Sequence, residues 1–271
     1  MRLYFMQGGT LYGTKNFFVA GAPATEFNVP VPFFLIQYKG KNILFDTGLH
    51  EGDMTGHLLS RITDVLVSHF EDDGLAVPAL QKLGIEPEDI DIIILSHLHY
   101  DHAGAVTKFP NATVIVQRSE FDYVRRPDYF MNHVYYNDEA PAAVTGFDGK
   151  GTDAEKLSNV DWFFLDGWQD NRFDLFRDGR LVIYFTPGHT VGHQSLYVRT
   201  DEDGEFLLTA DASYVEENID KVILPGLVLD CASYLQNLRL FRLMKKTGVT
   251  LVSGHDPEGW KKFKKAPDYY R

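Results

Sequence analysis

Short apolar runs closed by glycine or by polar turn residues recur along the chain, and each predicts a strand. They cover residues 3–7, 33–38, 42–45, 91–95, 113–116, 181–185, 195–198, 206–209 and 250–252. The pair 33–38 and 42–45 flanks Lys39-Gly40-Lys41, which reads as a hairpin turn. Other segments carry helical spacing. Leu58, Leu59, Ile62, Val65, Leu66 and Phe70 predict an amphipathic helix over 57–70. A second helix is expected at about 75–83, stopped by Gly84. A third spans 231–246, with Leu235, Leu238, Phe241, Leu243 and Met244 inward, and ends near Gly248. Residues 8–32 read as turn-rich, with Tyr12, Phe17, Phe18 and Phe27 among them. The stretch 118–160 is rich in aromatics and loses any regular pattern after Met131. A lid or substrate wall and a loop covering an edge are both open readings of it. Strands and helices mix in both halves, which predicts an α/β chain of two similar layers packed face to face.

Composition narrows the class. The 271 residues suit one large α/β domain over 1–271 with an aromatic-rich insertion at 118–160, and 44% hydrophobic content supports a sizeable core. A net charge of -12 argues against a nucleic-acid surface. The basic run Lys261, Lys262, Lys264 and Lys265 reads as a solvated helix face. No apolar run reaches membrane-spanning length and the start lacks a signal-peptide pattern, so a cytoplasmic location is expected. The single cysteine, Cys231, leaves no intrachain disulfide and no thiolate metal cluster.

The chemistry concentrates in Ser96-His97-Leu98-His99-Tyr100-Asp101-His102-Ala103-Gly104, directly after the run 91–95. Three imidazoles and a carboxylate on a turn at a strand end are ligands that a borderline divalent ion prefers. Three further strand ends carry ligand types: His189 after 181–185, Asp211 after 206–209, and His255 after 250–252. Strand ends on one side of a sheet converge. The predicted set is therefore His97, His99 and His189 for one ion, Asp101, His102 and His255 for a second, and Asp211 between them. Two such ions share a hydroxide and clamp a polar substrate. Zinc is the first expectation for both divalent ions, and iron, cobalt or manganese suit the same ligands. Asp46, at the end of 42–45, is expected to orient a ligand. His193 reads as a buried hydrogen-bonding residue, His57 and His69 as surface residues, and His133 as no ligand.

His97-Leu98-His99-Tyr100-Asp101-His102, with Gly188-His189-Thr190, Asp211, Gly254-His255 and Asp46-Thr47-Gly48, resembles the metallo-β-lactamase superfamily over nearly the whole chain. The resemblance implies an αβ/βα four-layer sandwich: two mixed β-sheets flanked by helices, with the site on one edge. Asp211 stands where zinc β-lactamases carry cysteine, and His99 where flavodiiron oxygen reductases carry glutamate. Hydrolysis of a lactone, thioester or phosphodiester remains. Residues 96–104, 186–196 and 211–214, with 116–121 and Gly254-His255-Asp256, are most similar to the quorum-quenching N-acyl homoserine lactonases. Tyr100 stands where that family often has Phe. The resemblance implies a carboxylic ester hydrolase that opens the lactone ring. Tyr214 would hydrogen-bond to the substrate carbonyl, and Asp101 would pass a proton to the leaving oxygen. A homodimer is common in the family, though no stretch here demands one. A glyoxalase II-like thioesterase and a phosphodiesterase are the alternatives. A non-enzymatic scaffold is disfavoured because all seven ligands are present.

Overall fold

Alternation along the first strand decides the layer order. In the computed structural model, which describes residues 1–50, 67–69, 74–128 and 159–271, β1 (Arg2–Thr14) turns Leu3 and Phe5 to one face and Tyr4 and Met6 to the other. A strand's side chains alternate faces, so one sheet can serve two cores. Leu3 and Phe5 join Phe34, Ile36, Ile94 and Ile115 against Leu181, Ile183, Leu196, Val198 and Leu208 of a second sheet. Tyr4 and Met6 instead join Leu35, Ile93, Val114, Ala76 and Leu80 beneath helical segments. The outer face of the second sheet places Leu207 against Tyr234, Leu238 and Phe241. The result is the predicted four-layer sandwich, helix, sheet, sheet, helix.

Among the described residues the first sheet has the order β4-β1-β2-β3-β5-β6-β7, and the second β12-β11-β10-β9-β8. The first comprises β1, β2 (Glu26–Tyr38), β3 (Lys41–Phe45), β4 (Val67–His69), β5 (Ile92–Ile94), β6 (Thr113–Gln117) and β7 (Asp161–Leu165). The second comprises β8 (Arg172–Asp174), β9 (Leu181–Phe185), β10 (Gln194–Arg199), β11 (Glu205–Ala210) and β12 (Thr250–Ser253). Both are mixed: β3, β5, β6 and β7 run parallel, as do β11 and β12, while the remaining pairs are antiparallel. Phe45, Ile94 and Ile115 are aligned across three parallel strands, so β3 and β5 finish level and deliver their following residues to one edge.

The helices of the described residues are α1 (Lys15–Phe18), α2 (Ala76–Gln81), α3 (Tyr100–Ala103), α4 (Arg118–Val124), α5 (Glu216–Lys221), α6 (Cys231–Lys246) and α7 (Pro257–Trp260). The predicted helices at 75–83 and 231–246 appear as α2 and α6.

Several expectations are corrected. Residues 8–32 are largely strand, because Gly8-Gly9 forms a bulge rather than a turn: the β1–β2 register shifts between Gln7 and Thr10, and pairing then continues to Thr14↔Glu26. Gly9 takes φ 142, and a Cβ on Gly8 would lie 2.9 Å from the Gly48 Cα. The far end of the expected 57–70 helix is strand β4, which pairs with the edge that the prolonged β1 offers; residues 57–66 and 70 lie outside those described. On α6, Leu243 faces outward and is 58% exposed, since two positions from buried Phe241 turns it about 200° around the axis. The basic run is not a helix face. α7 ends at Trp260, Lys262 pairs with Glu216 at 3.0 Å, and Lys265 donates to the Phe263 carbonyl at 2.7 Å. Strands β7 and β8 had no expectation. Of the 118–160 stretch, 129–158, including His133, lie outside the described residues. No helix among the described residues is long and apolar enough to cross a membrane.

Candidate metal centre

The site forms where β3, β5, β9, β11 and β12 end. After β5 the chain runs through Ser96 to His99 and enters α3, which sets Asp101 and His102 side by side inside the protein. This turn is packed tightly onto the loop after β3. Thr47 N donates to the His102 carbonyl at 2.7 Å, and Gly104 N to the Gly48 carbonyl at 3.1 Å. Gly104 is required by space: a Cβ there would lie 2.5 Å from His50 N and 2.6 Å from the Gly48 carbonyl oxygen. On the second sheet, Ala210 takes φ 43 and turns the chain into Asp211. His255 is placed by its N–H donating to the Tyr214 carbonyl at 2.7 Å, which ties the end of β12 to the end of β11.

All seven side chains predicted as ligands are buried and meet here. They form two groups, His97, His99, His189 and Asp211 in one and Asp101, His102 and His255 in the other, each with its ligand atoms within 4.8 Å of one another. In the first, His189 Nε2 lies 3.2 Å from His97 Nε2, 3.0 Å from His99 Nδ1 and 3.2 Å from Asp211 Oδ2. In the second, Asp101 Oδ2 lies 3.5 Å from both His102 Nε2 and His255 Nε2. Asp211 reaches the second group with its other oxygen, 3.2 Å from His102 Nε2 and 3.2 Å from His255 Nε2. One carboxylate therefore faces both groups, each through its own oxygen.

In four of the five rings the far nitrogen is engaged, which aims the near one. His102 Nδ1 lies 2.8 Å from Asp46 Oδ2, and Asp46 also accepts from Ser96 N at 2.6 Å and Ser96 Oγ at 2.8 Å. The expected orienting role of Asp46 thus has its geometry. His255 Nδ1 lies 2.8 Å from the Pro30 carbonyl and must donate to it, leaving Nε2 as a lone pair toward the centre. His97 Nδ1 is 2.9 Å from Ser96 Oγ, and His189 Nδ1 is 3.2 Å from the Tyr214 hydroxyl. His193 is buried with Nδ1 2.9 Å from Thr186 Oγ1, and the structure sets it behind His97 with ring centroids 5.1 Å apart.

Burial and crowding shape the charges. Burial, then the neighbouring His102, His99 and His189, hold His97 well below the ordinary histidine range. Burial likewise lowers His99, with His189 beside it adding to the effect. Burial brings His189 down to about 4. Burial also opposes charge on His102, but Asp211, Asp101 and Asp46 outweigh it and raise that ring well above its usual value. Burial raises Asp101. For Asp211 burial is outweighed by His255, His102 and His189, which hold it well below the carboxylate range. Burial, with Asp211 adding to it, keeps the Tyr214 phenol well above its ordinary value.

These atoms fit a pair of cations. His102 Nε2 and Asp211 Oδ1 are buried and 3.2 Å apart, yet neither has a hydrogen-bond partner among the described residues. Buried polar groups are almost always satisfied, so such orphans point to an ion. Nitrogen and oxygen donors in two groups joined by one carboxylate fit a dinuclear metal site.

Three contributors were not singled out from sequence. Ser96 links Asp46 to His97. The Pro30 carbonyl anchors His255 from a segment read as a turn, and a backbone acceptor leaves no residue-type signal. Glu120, fully buried, accepts from Leu98 N at 3.2 Å and Gly192 N at 2.9 Å. It lies in the segment 116–121 that resembles the lactonases, but that resemblance gave the residue no role.

The profile of the metallo-beta-lactamase superfamily matches residues 28–255. The chain is 38% identical to N-acyl homoserine lactonase AttM of Rhizobium radiobacter over 277 aligned positions, covering 100% of this chain and 98% of the relative. It is 30% identical to N-acyl homoserine lactonase AiiA of Bacillus thuringiensis subsp. kurstaki, covering 99% and 98%. Among solved structures, an N-acyl homoserine lactone hydrolase with the product N-hexanoyl-L-homoserine at its catalytic metal centre superposes with a TM-score of 0.80 at 28% identity, covering 99% of this chain and 98% of that one.

Proposed function

The chain belongs to the metallo-β-lactamase superfamily, and on that premise we propose that it is a dinuclear-metal hydrolase that opens N-acyl homoserine lactones to N-acyl homoserines. On this reading His97, His99 and His189 hold one ion, Asp101, His102 and His255 hold the other, and Asp211 lies between them. Zinc is the metal we assign, because imidazole and carboxylate with no thiolate suit it at a hydrolytic centre. Two such cations, when bound, supply water ionised near neutral pH and positive charge for the lactone carbonyl.

The observation that carries the substrate reading is the position of Tyr214. Its hydroxyl stands 3.2 Å from His189 Nδ1, at the edge of the first ligand group. With His189 Nδ1 donating to it, the phenol oxygen is an acceptor there and its own proton is available to the substrate carbonyl oxygen. Burial keeps that phenol protonated, so it acts as a donor and not as a phenolate. A donor aimed at developing negative charge is a large share of acyl-transfer catalysis. Asp101, in the second ligand group beside Asp211, is placed to carry the proton that the ring oxygen needs as it leaves. The balance is plain: water oxygen bonds to the acyl carbon, the ring C–O bond breaks, the ring oxygen gains a proton, and the new carboxylic acid releases one. An apolar wall suits an acyl chain. Phe18 and Phe17 lie beside Tyr214, with ring centroids 5.5 and 6.1 Å away, and Phe18 also flanks His255 at 6.1 Å. We read 1–271 as a single hydrolase domain, a reading supported by the pairing of Leu3 with Tyr270 across the two ends.

The test is a substrate panel on fully metallated protein: N-acyl homoserine lactones of several chain lengths, a simple lactone, a thioester and a phosphodiester. Acyl homoserine lactones are expected to turn over fastest, with one proton released per ring opened on a pH-stat. Intact acyl homoserine lactones across all chain lengths would overturn the assignment, as would faster thiol release from the thioester.

A further inference from the structure

The two groups of ligands are braced differently. In the second, His102 is held by Asp46, His255 by the Pro30 carbonyl, and Asp101 by α3 itself. In the first, Ser96 Oγ meets His97 Nδ1 and the Tyr214 hydroxyl meets His189 Nδ1, and its three histidines, like the ligands of the second group, come from loops of opposite sheets. His97 and His99 follow β5 of one sheet, and His189 lies between β9 and β10 of the other. Something has to fix the distance between those loops. Glu120, in the first turn of α4, is placed to do so. Its Oε1 accepts from Leu98 N, the residue between His97 and His99, at 3.2 Å. Its Oε2 accepts from Gly192 N, three residues after His189, at 2.9 Å. The carboxylate is fully buried, so both bonds form away from competing water.

The surrounding packing is built for this contact. A Cβ on Gly192 would lie 2.4 Å from Glu120 Cβ and 2.5 Å from its backbone nitrogen, so only glycine lets the His189 loop lie this close. The residue that caps the same turn, Gln117, donates to Gln194 Oε1 at 2.7 Å, and Gln194 donates to the Leu95 carbonyl at 2.7 Å. Gln194 N donates to the Ser96 carbonyl at 2.8 Å. The start of α4 therefore grips both loops at two levels, and the ionic level is Glu120.

We propose that Glu120 is the positioning residue that joins the His97–His99 loop to the His189 loop and thereby sets the affinity of the first metal group alone. The inference rests on the dinuclear reading of the site. Removing the carboxylate frees two buried N–H groups and lets His99 and His189 drift apart, while Asp101, His102 and His255 keep their own supports. Partners that orient metal ligands change affinity by about 10–100-fold when lost.

The experiment is a zinc titration of metal-stripped protein against a chromogenic chelator, for wild type, Glu120→Ala and Glu120→Gln, with circular dichroism to compare folding. Wild type is expected to bind two equivalents. E120A is expected to keep one equivalent at wild-type affinity and to bind the other about 10–100-fold more weakly. E120Q keeps the shape and one acceptor oxygen but turns an amide N–H toward a backbone N–H, so it is expected to weaken the same equivalent by less. Two equivalents at wild-type affinity in E120A would overturn the proposal. So would equal weakening of both equivalents in a folded E120Q. Because the readout is zinc uptake and not turnover, the outcome is decided whatever the substrate proves to be.

Discussion

At the scale of single residues, the centre depends on which atom of each side chain looks inward. Tyr214 is the sharpest case. Its hydroxyl contacts His189 Nδ1, and its ring packs against fully buried Phe18, so it is tied both to a candidate ligand and to the core. Tyr214→Phe removes the hydroxyl and keeps the ring. We expect kcat on an acyl homoserine lactone to fall about a hundredfold or more, in line with loss of an oxyanion donor, with metal content by mass spectrometry unchanged. A parallel loss of metal would mean that the hydroxyl serves His189 and not the substrate. His193 illustrates the opposite outcome. It follows the same Pro-Gly turn as His189, yet it turns to Thr186 and stays outside both groups. The sequence already set His189 ahead, as the residue directly after the Pro-Gly turn, and the contact of buried His193 with Thr186 gives the physical reason.

At the scale of elements, the ligands are presented by tight turns that follow strands, and those turns tolerate little added volume. Gly104 closes α3 against the loop from Asp46 to His50, and the atoms its Cβ would meet are all backbone. Gly104→Ala must therefore move one chain segment. We expect a loss of about 1–3 kcal/mol in urea unfolding of the metal-free protein, together with weaker metal binding, because His102 and Asp46 sit on the two segments forced apart. The glycine was visible in the motif, but the reason for it was not, since the loop it touches lies more than fifty positions earlier in sequence. The bulge at Gly8-Gly9 makes the same point. Two adjacent glycines suggest a turn, and here they allow a long strand to bend past Gly48 and continue.

At the scale of the whole molecule, the site sits at the seam between two sheets whose shared core is apolar, and seven buried ligands crowd one edge of it. Imidazoles and carboxylates so placed repel or lie unsatisfied until cations fill the centre, so metal and fold should be strongly linked. With free zinc at about a thousand times its Kd, each bound ion adds roughly 4 kcal/mol to stability and the pair about 8 kcal/mol, and for a chain of this length each kcal/mol moves the midpoint by about 2 °C. Chelation of both ions is therefore expected to lower the Tm by about 16 °C, reversibly on adding zinc back, in differential scanning calorimetry. An unchanged Tm would mean that the folded chain holds no ion under these conditions. The sequence by itself displayed most strand segments of both sheets, though not β4, β7 or β8, the helix α6, the seven candidate ligands and Asp46 beside them, because hydrophobic period and ligand type are local properties that a linear chain displays. Only the tertiary structure decided which oxygen of Asp211 faces which group, that Pro30 holds His255, and that Glu120 spans the two loops. Those are contacts between backbone or side-chain atoms far apart along the polymer, and nothing in the identity of either partner announces the other until the sheets have packed.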